Sequence, residues 1–149
     1  MMEGSSVLFA IYLFLAVYCA GSMSVLQGQH FALYPKVGQA AFKDYVAANN
    51  SAAVLPAILP AVLLTFITVA LLFFRPAFMS RGIVLLCLSF NGINLASSFI
   101  WQARIHAQLA RVGYDAVLIH RLIKTNWIRT TVLIMQGLVA VYCATSVLP

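Results

Sequence analysis

The sequence predicts an all-α integral membrane protein: a four-helix bundle with short interfacial helices in its first and third loops. Two observations carry that prediction. Hydrophobic residues make up 63% of the 149 and charged residues only 8%, against about 25% charged in a soluble domain, so the chain lacks the polar groups to cover a globule in water. The apolar residues also fall in four long runs, 6–25, 52–74, 82–101 and 131–148. A helix needs roughly 20 such residues to cross a bilayer. In lipid the backbone must bond within its own segment or within a closed barrel, and runs this continuous are helices. The spans are placed at 6–27, 52–74, 82–103 and 128–148, in a single transmembrane domain covering 1–149.

The first span follows "MMEGSS", which has no basic n-region, and its apolar run is longer than that of a signal peptide, so it is expected to remain in the protein. Gly28, Pro35 and Gly38 then break the pattern. In "AAFKDYVAANN", Phe42, Tyr45 and Val46 share one face, which suits a short interfacial helix. Pro56 and Pro60 open the second span four residues apart. Their missing amides free carbonyls that need partners, through a kinked helix start or around a widened cavity. Arg75-Pro76 stops this span. Nothing interrupts the third from Gly82 to Arg111, so it is expected to project past the bilayer until Gly113. Asp115 suits the N-cap of a second surface helix, which runs into span four. Cys19, Cys87 and Cys143 lie inside the apolar runs and read as small packing residues.

The net charge of +6 is a topology signal in such an apolar chain, not a nucleic-acid one. Lys36, Lys43, Arg104, Arg111, Arg121, Lys124 and Arg129 fall in or beside the 28–51 and 102–130 segments, and only Arg75 and Arg81 on the other side. The positive-inside rule puts loops 28–51 and 102–130 in the cytoplasm and both termini outside, in a bacterial inner membrane. The expected partners are the lipid bilayer and other membrane subunits or a second copy of the chain.

Polar residues line one face of the third span. At about 100° per residue, Asn91, Asn94, Ser98, Gln102 and His106 occupy roughly a third of the circumference. In the fourth span Asn126, Thr130 and Gly137 share a face, with Arg129 and Gln136 beside it. An amide at mid-bilayer is costly without a partner. The two stripes are expected to face each other, either as interhelical hydrogen bonds or as the wall of a pocket between helices three and four.

The chemistry available is sparse. No nucleophile motif, phosphate loop or paired carboxylates are present. The histidines are His30, His106 and His120, and the carboxylates are Glu3, Asp44 and Asp115, with no metal-ligand spacing. The expected metal set is none and the cofactor is left unknown; a two-histidine haem or metal site from His30 and His106 is the arrangement left open. His106 is the best general base by type, and Arg129 the best group to hold an anion, so these two are the catalytic candidates. Asn91, Asn94, Ser98, Gln102, Asn126 and Thr130 are the ligand-binding candidates. In "TNWIRT" (125–130), Thr125 or Asn126 is expected to cap helix four, Trp127 to join Trp101 in the interfacial belt, and Arg129 to sit in the first turn. A helix dipole disfavours a cation there, so Arg129 calls for Asp44, a lipid phosphate or an anionic ligand.

"WQARIHAQLARVGYDAVLIHRLIKTNWIRT" (101–130) resembles the last part of small four-helix bacterial membrane proteins related to the anthrone-oxygenase-like family. Gln102, His106, Gly113, Asp115, Arg121-Leu122 and Asn126-Trp127-Ile128-Arg129-Thr130 carry the likeness, with Tyr34-Pro35, Phe42, Tyr45 and Pro60 earlier in the chain. The chain departs from the pattern near Asn49 and Asn50, where the resemblance leads one to expect a histidine. That departure bears on whether activity is retained. The resemblance implies a four-helix membrane fold and, from fungal relatives, oxidation of anthrones to anthraquinones without a familiar cofactor motif. The resulting expectation is a polar pocket that binds a small aromatic or quinone-like molecule, with oxygenase-like chemistry. The alternative is a non-enzymatic accessory subunit of a larger membrane complex.

Overall fold

A computed structural model describes the backbone of residues 2–146 and the side chains of 4–146. The last residues of the span placed at 128–148 therefore lie outside the described residues. All elements among the described residues are helical. Four of the continuous helical segments are long and apolar enough to cross a membrane: Gly4–Lys36, Val54–Phe74, Arg81–Val112 and Ala116–Thr145. The protein is a multi-pass integral membrane protein.

The first span is α1 (Met2–Val25), which passes through a π-turn (Leu26–His30) into the short α2 (Phe31–Leu33). Two 3-10 turns lead to α3 (Phe42–Ala52). A second π-turn (Val54–Ile58) opens α4 (Leu59–Phe74). The third span is α5 (Arg81–Ser97), a third π-turn (Ser98–Gln102) and α6 (Ala103–Val112). The last is α7 (Ala116–Thr145).

Consecutive spans are neighbours, and α1 closes the ring against α7, as short connections between antiparallel helices favour. The α1–α7 contact is close because Gly137 has no side chain. A Cβ there would meet Ala20 Cβ at 3.0 Å and the Ala16 carbonyl oxygen at 3.4 Å. The glycine thus admits α1, not the third span. Outside the ring, α3 packs on α6 and forms a head on the basic side.

The core has two apolar clusters. One fills the bundle with Tyr12, Leu64, Leu71, Val84, Leu133 and Ala140. The other ties the head to the spans through Phe31, Tyr34, Phe42, Ile105, Leu109 and Leu122. The buried polar residues Gln27, Asn94, Gln102, Asn126 and Thr130 fall between them along the spans.

Local chemistry explains the helix ends. Pro60 has no amide to bond the Pro56 carbonyl four residues back, and the Tyr18 hydroxyl donates to that carbonyl at 3.0 Å instead. Ser80 caps α5 by accepting from the Ile83 amide. Gly113 ends α6 at φ 87°, in the region that favours glycine. Asp115 Oδ1 caps α7 by accepting from the amides of Val117 (2.9 Å) and Leu118 (3.0 Å).

That cap corrects two sequence expectations. α7 is one helix of 30 residues from Ala116, so Thr125 and Asn126 lie inside it and cap nothing. Arg129 likewise lies far from the first turn, and the dipole argument against it falls away. The helical segments of the third loop are continuous with the spans. Trp127 remains exposed, as a belt residue should be.

Candidate functional site

A cavity of about 430 Å³ opens on the head side of the bundle. Its walls come from the first span and its π-turn (Met23, Leu26, His30, Phe31), the end of α3 (Asn49, Asn50), the second span (Ala57, Ile58, Ala61, Val62) and the third (Asn94, Ser98, Phe99, Gln102, His106). The fourth span contributes Arg129. The space therefore lies mainly among the first three spans, whereas the sequence suggested a pocket between the third and fourth.

The three π-turns build it. Each carries lining residues: Leu26 and His30, Ala57 and Ile58, and Ser98, Phe99 and Gln102. A π-turn adds one residue to a helix and widens it locally, and such turns are frequent at functional sites. On an unbroken helix His106 would sit about 120° from Asn94. The added residue turns it back by about 100°, to about 20° from Asn94, which sets both on the same wall.

Seven of the eight residues singled out from sequence form one hydrogen-bonded cluster or touch the cavity beside it. Arg129 Nε donates to Asn94 Oδ1 and its Nη1 to Asn126 Oδ1, both at 3.3 Å. Asn126 Nδ2 donates to Gln27 Oε1 at 2.8 Å, and lies 3.4 Å from Thr130 Oγ1 and 3.6 Å from Met23 Sδ. Asn126 is thus an interhelical hub behind the cavity wall, and Thr130, donating to the Asn126 carbonyl, lies behind it too. Ser98 lines the cavity and donates to the Asn94 carbonyl at 2.7 Å. Gln102 Nε2 donates to Thr125 Oγ1 at 3.0 Å. Asn91 stands apart from the cavity: its Nδ2 donates to Thr68 Oγ1 at 3.1 Å, joining α5 to α4. No carboxylate bonds Arg129 among the described residues. Asp44 is exposed on α3 and Asp115 caps α7.

His106 Nδ1, His30 Nε2 and Gln102 Oε1 are buried at the cavity without a hydrogen-bond partner. Aromatic rings set both imidazoles: Phe31 and Tyr34 each contact His30 (5.5 and 5.3 Å between centroids) and His106 (6.1 and 6.4 Å). Tyr34 is fully buried, and its hydroxyl accepts from Asn49 Nδ2 at 2.9 Å. Among the described residues no three His, Cys, Asp or Glu side chains gather in a metal-binding group.

Sequence reasoning missed Gln27, Asn49 and Asn50 as members of the site. The resemblance held a signal for the last two, because it expects a histidine at that place, and both asparagines line the cavity. No signal marked Gln27 before the α1–α7 contact was known. No family model matches the chain, and neither does any curated protein or solved structure.

Proposed function

We propose that the cavity binds a small aromatic or quinone-like molecule and that His106 and Arg129 act on it. The observation that carries this reading is the combination in one wall of a cation without a carboxylate and three buried polar atoms without partners. Interhelical hydrogen bonding alone would pair such atoms with each other. The volume lies within the range of about 300–1,000 Å³ usual for small-molecule pockets, and the mixture of apolar wall and few convergent polar groups suits a flat ring with polar edges.

The chemistry this arrangement supports is proton abstraction from a ring carbon conjugated with a carbonyl. His106 would take the proton, and Arg129 would hold the negative charge that develops on oxygen. The electron-rich anion is the form of an anthrone-like ring that dioxygen oxidises to the quinone with release of water. This agrees with the anthrone-oxygenase resemblance and gives the oxygenase-like reading its content.

The test is equilibrium binding of a naphthoquinone to the purified protein in mild detergent, together with its absorption spectrum as isolated. His106→Ala and Arg129→Ala should each weaken binding while the protein still folds. Equal loss of folded protein in both variants would instead favour structural roles. The spectrum would also expose a bound haem or quinone.

A second reading is an accessory subunit of a membrane complex. It draws on Asn126, Thr130 and Asn91, which bond to neighbouring groups as interhelical glue. It predicts co-purification with a larger assembly and no binding of ring compounds. We also infer a bacterial inner-membrane location with the head and loops 28–51 and 102–130 in the cytoplasm. Six cations other than Arg129 support it against Arg75 and Arg81 at the opposite end. Labelling of single cysteines introduced at Lys43 and Ala77 would test that orientation.

A further inference from the structure

Two features of the cavity narrow its ligand. The first is the charge on Arg129. Its bonds to Asn94 and Asn126 use two of five guanidinium donors, and both acceptors are neutral amides. A cation taken out of water without a counter-ion is expensive, and cations within membrane spans usually find a partner or mark a ligand path. By helix rise Arg129 lies about 24 Å from the Thr145 end of α7, inside a hydrocarbon layer of about 30 Å. The described carboxylates do not meet the need, since Asp44 is exposed and Asp115 is spent on the α7 cap. The other titratable groups in the wall, His30 and His106, offer no negative charge.

The second feature is the mouth. Ile58, Val62 and Phe99 line the cavity and are 51%, 37% and 70% exposed, as residues at its rim. Val62 lies about 18 Å along the second span from Phe74, and Phe99 about 27 Å along the third from Arg81. Both depths fall within the hydrocarbon. The opening between the second and third spans therefore faces acyl chains, and a molecule that reaches Arg129 this way must first dissolve in the bilayer.

We propose that the ligand is a lipophilic weak acid, of the hydroxyquinone or acidic phenol class, bound as its anion with the oxygen on Arg129 and the ring between the apolar walls. This rests on the pocket reading above and adds to it the charge of the ligand. An uncharged quinone would leave the cation unmatched, and a small hydrophilic anion would leave the apolar walls and the membrane-facing mouth without a role.

The experiment uses the full chain in vesicles of uncharged phosphatidylcholine, with protein-free vesicles subtracted. A hydroxynaphthoquinone is compared with its methyl ether, which keeps the ring and cannot ionise. The hydroxy compound should bind at least tenfold more tightly. Arg129→Gln should erase that preference by weakening the hydroxy compound far more than the ether, and Arg129→Lys should keep part of it. Inorganic phosphate should not compete. Equal binding of the two compounds to the wild type would overturn the anionic ligand and leave the pocket reading standing. Binding of neither would overturn the pocket reading itself. Displacement by phosphate at comparable concentration would show a simple anion site and overturn the lipophilic class. If Arg129→Gln fails to fold, the Arg129→Lys comparison carries the test: a preference reduced but still present supports the proposal, and its absence in the wild type refutes it.

Discussion

Asn94→Asp gives Arg129 a counter-ion, which it lacks among the described residues, at almost no change in shape. Asn94 is 2% exposed, and its Oδ1 already accepts from Arg129 Nε at 3.3 Å. Its amide nitrogen donates to no group among the described residues, so the substitution breaks no hydrogen bond. Two effects follow. A charge-assisted bond is roughly twice as strong as a neutral one, which stabilises the fold by about 1 kcal/mol, less the cost of taking the new carboxylate out of water. The larger effect falls on the ligand. Two unit charges about 4 Å apart attract by about 4 kcal/mol at an effective dielectric of 20. An internal carboxylate would cancel most of that attraction. Each 1.4 kcal/mol is about tenfold in affinity, so the loss should be ten- to several-hundred-fold after relaxation. Vesicle binding of the hydroxynaphthoquinone and its methyl ether measures it. Affinity for the acid should drop by at least about tenfold, the ether should change by less than about threefold, and thermal unfolding should show an intact or slightly more stable protein. A folded Asn94→Asp protein that binds the acid as tightly as wild type would refute the assignment of the anion to Arg129.

Further outcomes follow from the packing. Gly137→Ala should cost about 1–3 kcal/mol of overpacking, partly masked by about 1 kcal/mol of better helix propensity. Because the nearest contact is Ala20 Cβ at 3.0 Å, Ala20→Gly should relieve it. A double-mutant cycle on thermal unfolding should give a coupling well above the roughly 0.3–0.5 kcal/mol of independent sites, and additivity would mean that α1 and α7 are further apart. Tyr18→Phe should leave the Pro56 carbonyl unpaired and cost about 0.6–1.7 kcal/mol, the range for bonds between membrane helices; unchanged stability would show that another donor replaces it. Asp115→Ala should destabilise the start of α7 by about 0.5–2 kcal/mol, seen as faster amide exchange at Val117 and Leu118. If Asn126 were the cap, exchange there would not change, and Asn126→Ala would instead speed exchange at Ile128 and Arg129.

Much of the fold was legible because membrane constraints are severe. Continuous apolar runs can only be helices in lipid, and so the four spans, the proline stop at Pro76, the Gly113 break and the Asp115 cap all stand where residue chemistry puts them. The candidate site was legible only in part. The polar stripe of the third span did mark Asn94, Ser98, Gln102 and His106 as cavity residues. The same stripe could not separate these from Asn91, because on a helical wheel all five share a face. Nor could it separate Arg129, which reaches the cavity, from Asn126 and Thr130, which sit one layer behind it.

By itself the sequence determined the membrane solvent, the number of spans, the basic end of the bundle and the residue types available for chemistry, since these depend on composition and spacing along one chain. Only the tertiary structure decided which polar groups meet. Gly137 turned out to seat α1, which brings Gln27 to Asn126 and so commits that amide to structure. Three π-turns, only one of them foreshadowed by prolines, rotate His30, Ile58 and His106 toward a common space. A rotation of about 100° from one added residue is invisible to a helical wheel, because it depends on how neighbouring helices pack. The lack of a counter-ion for Arg129 among the described residues is likewise a fact of three dimensions: the fold keeps Asp44 on the surface and Asp115 on the α7 cap.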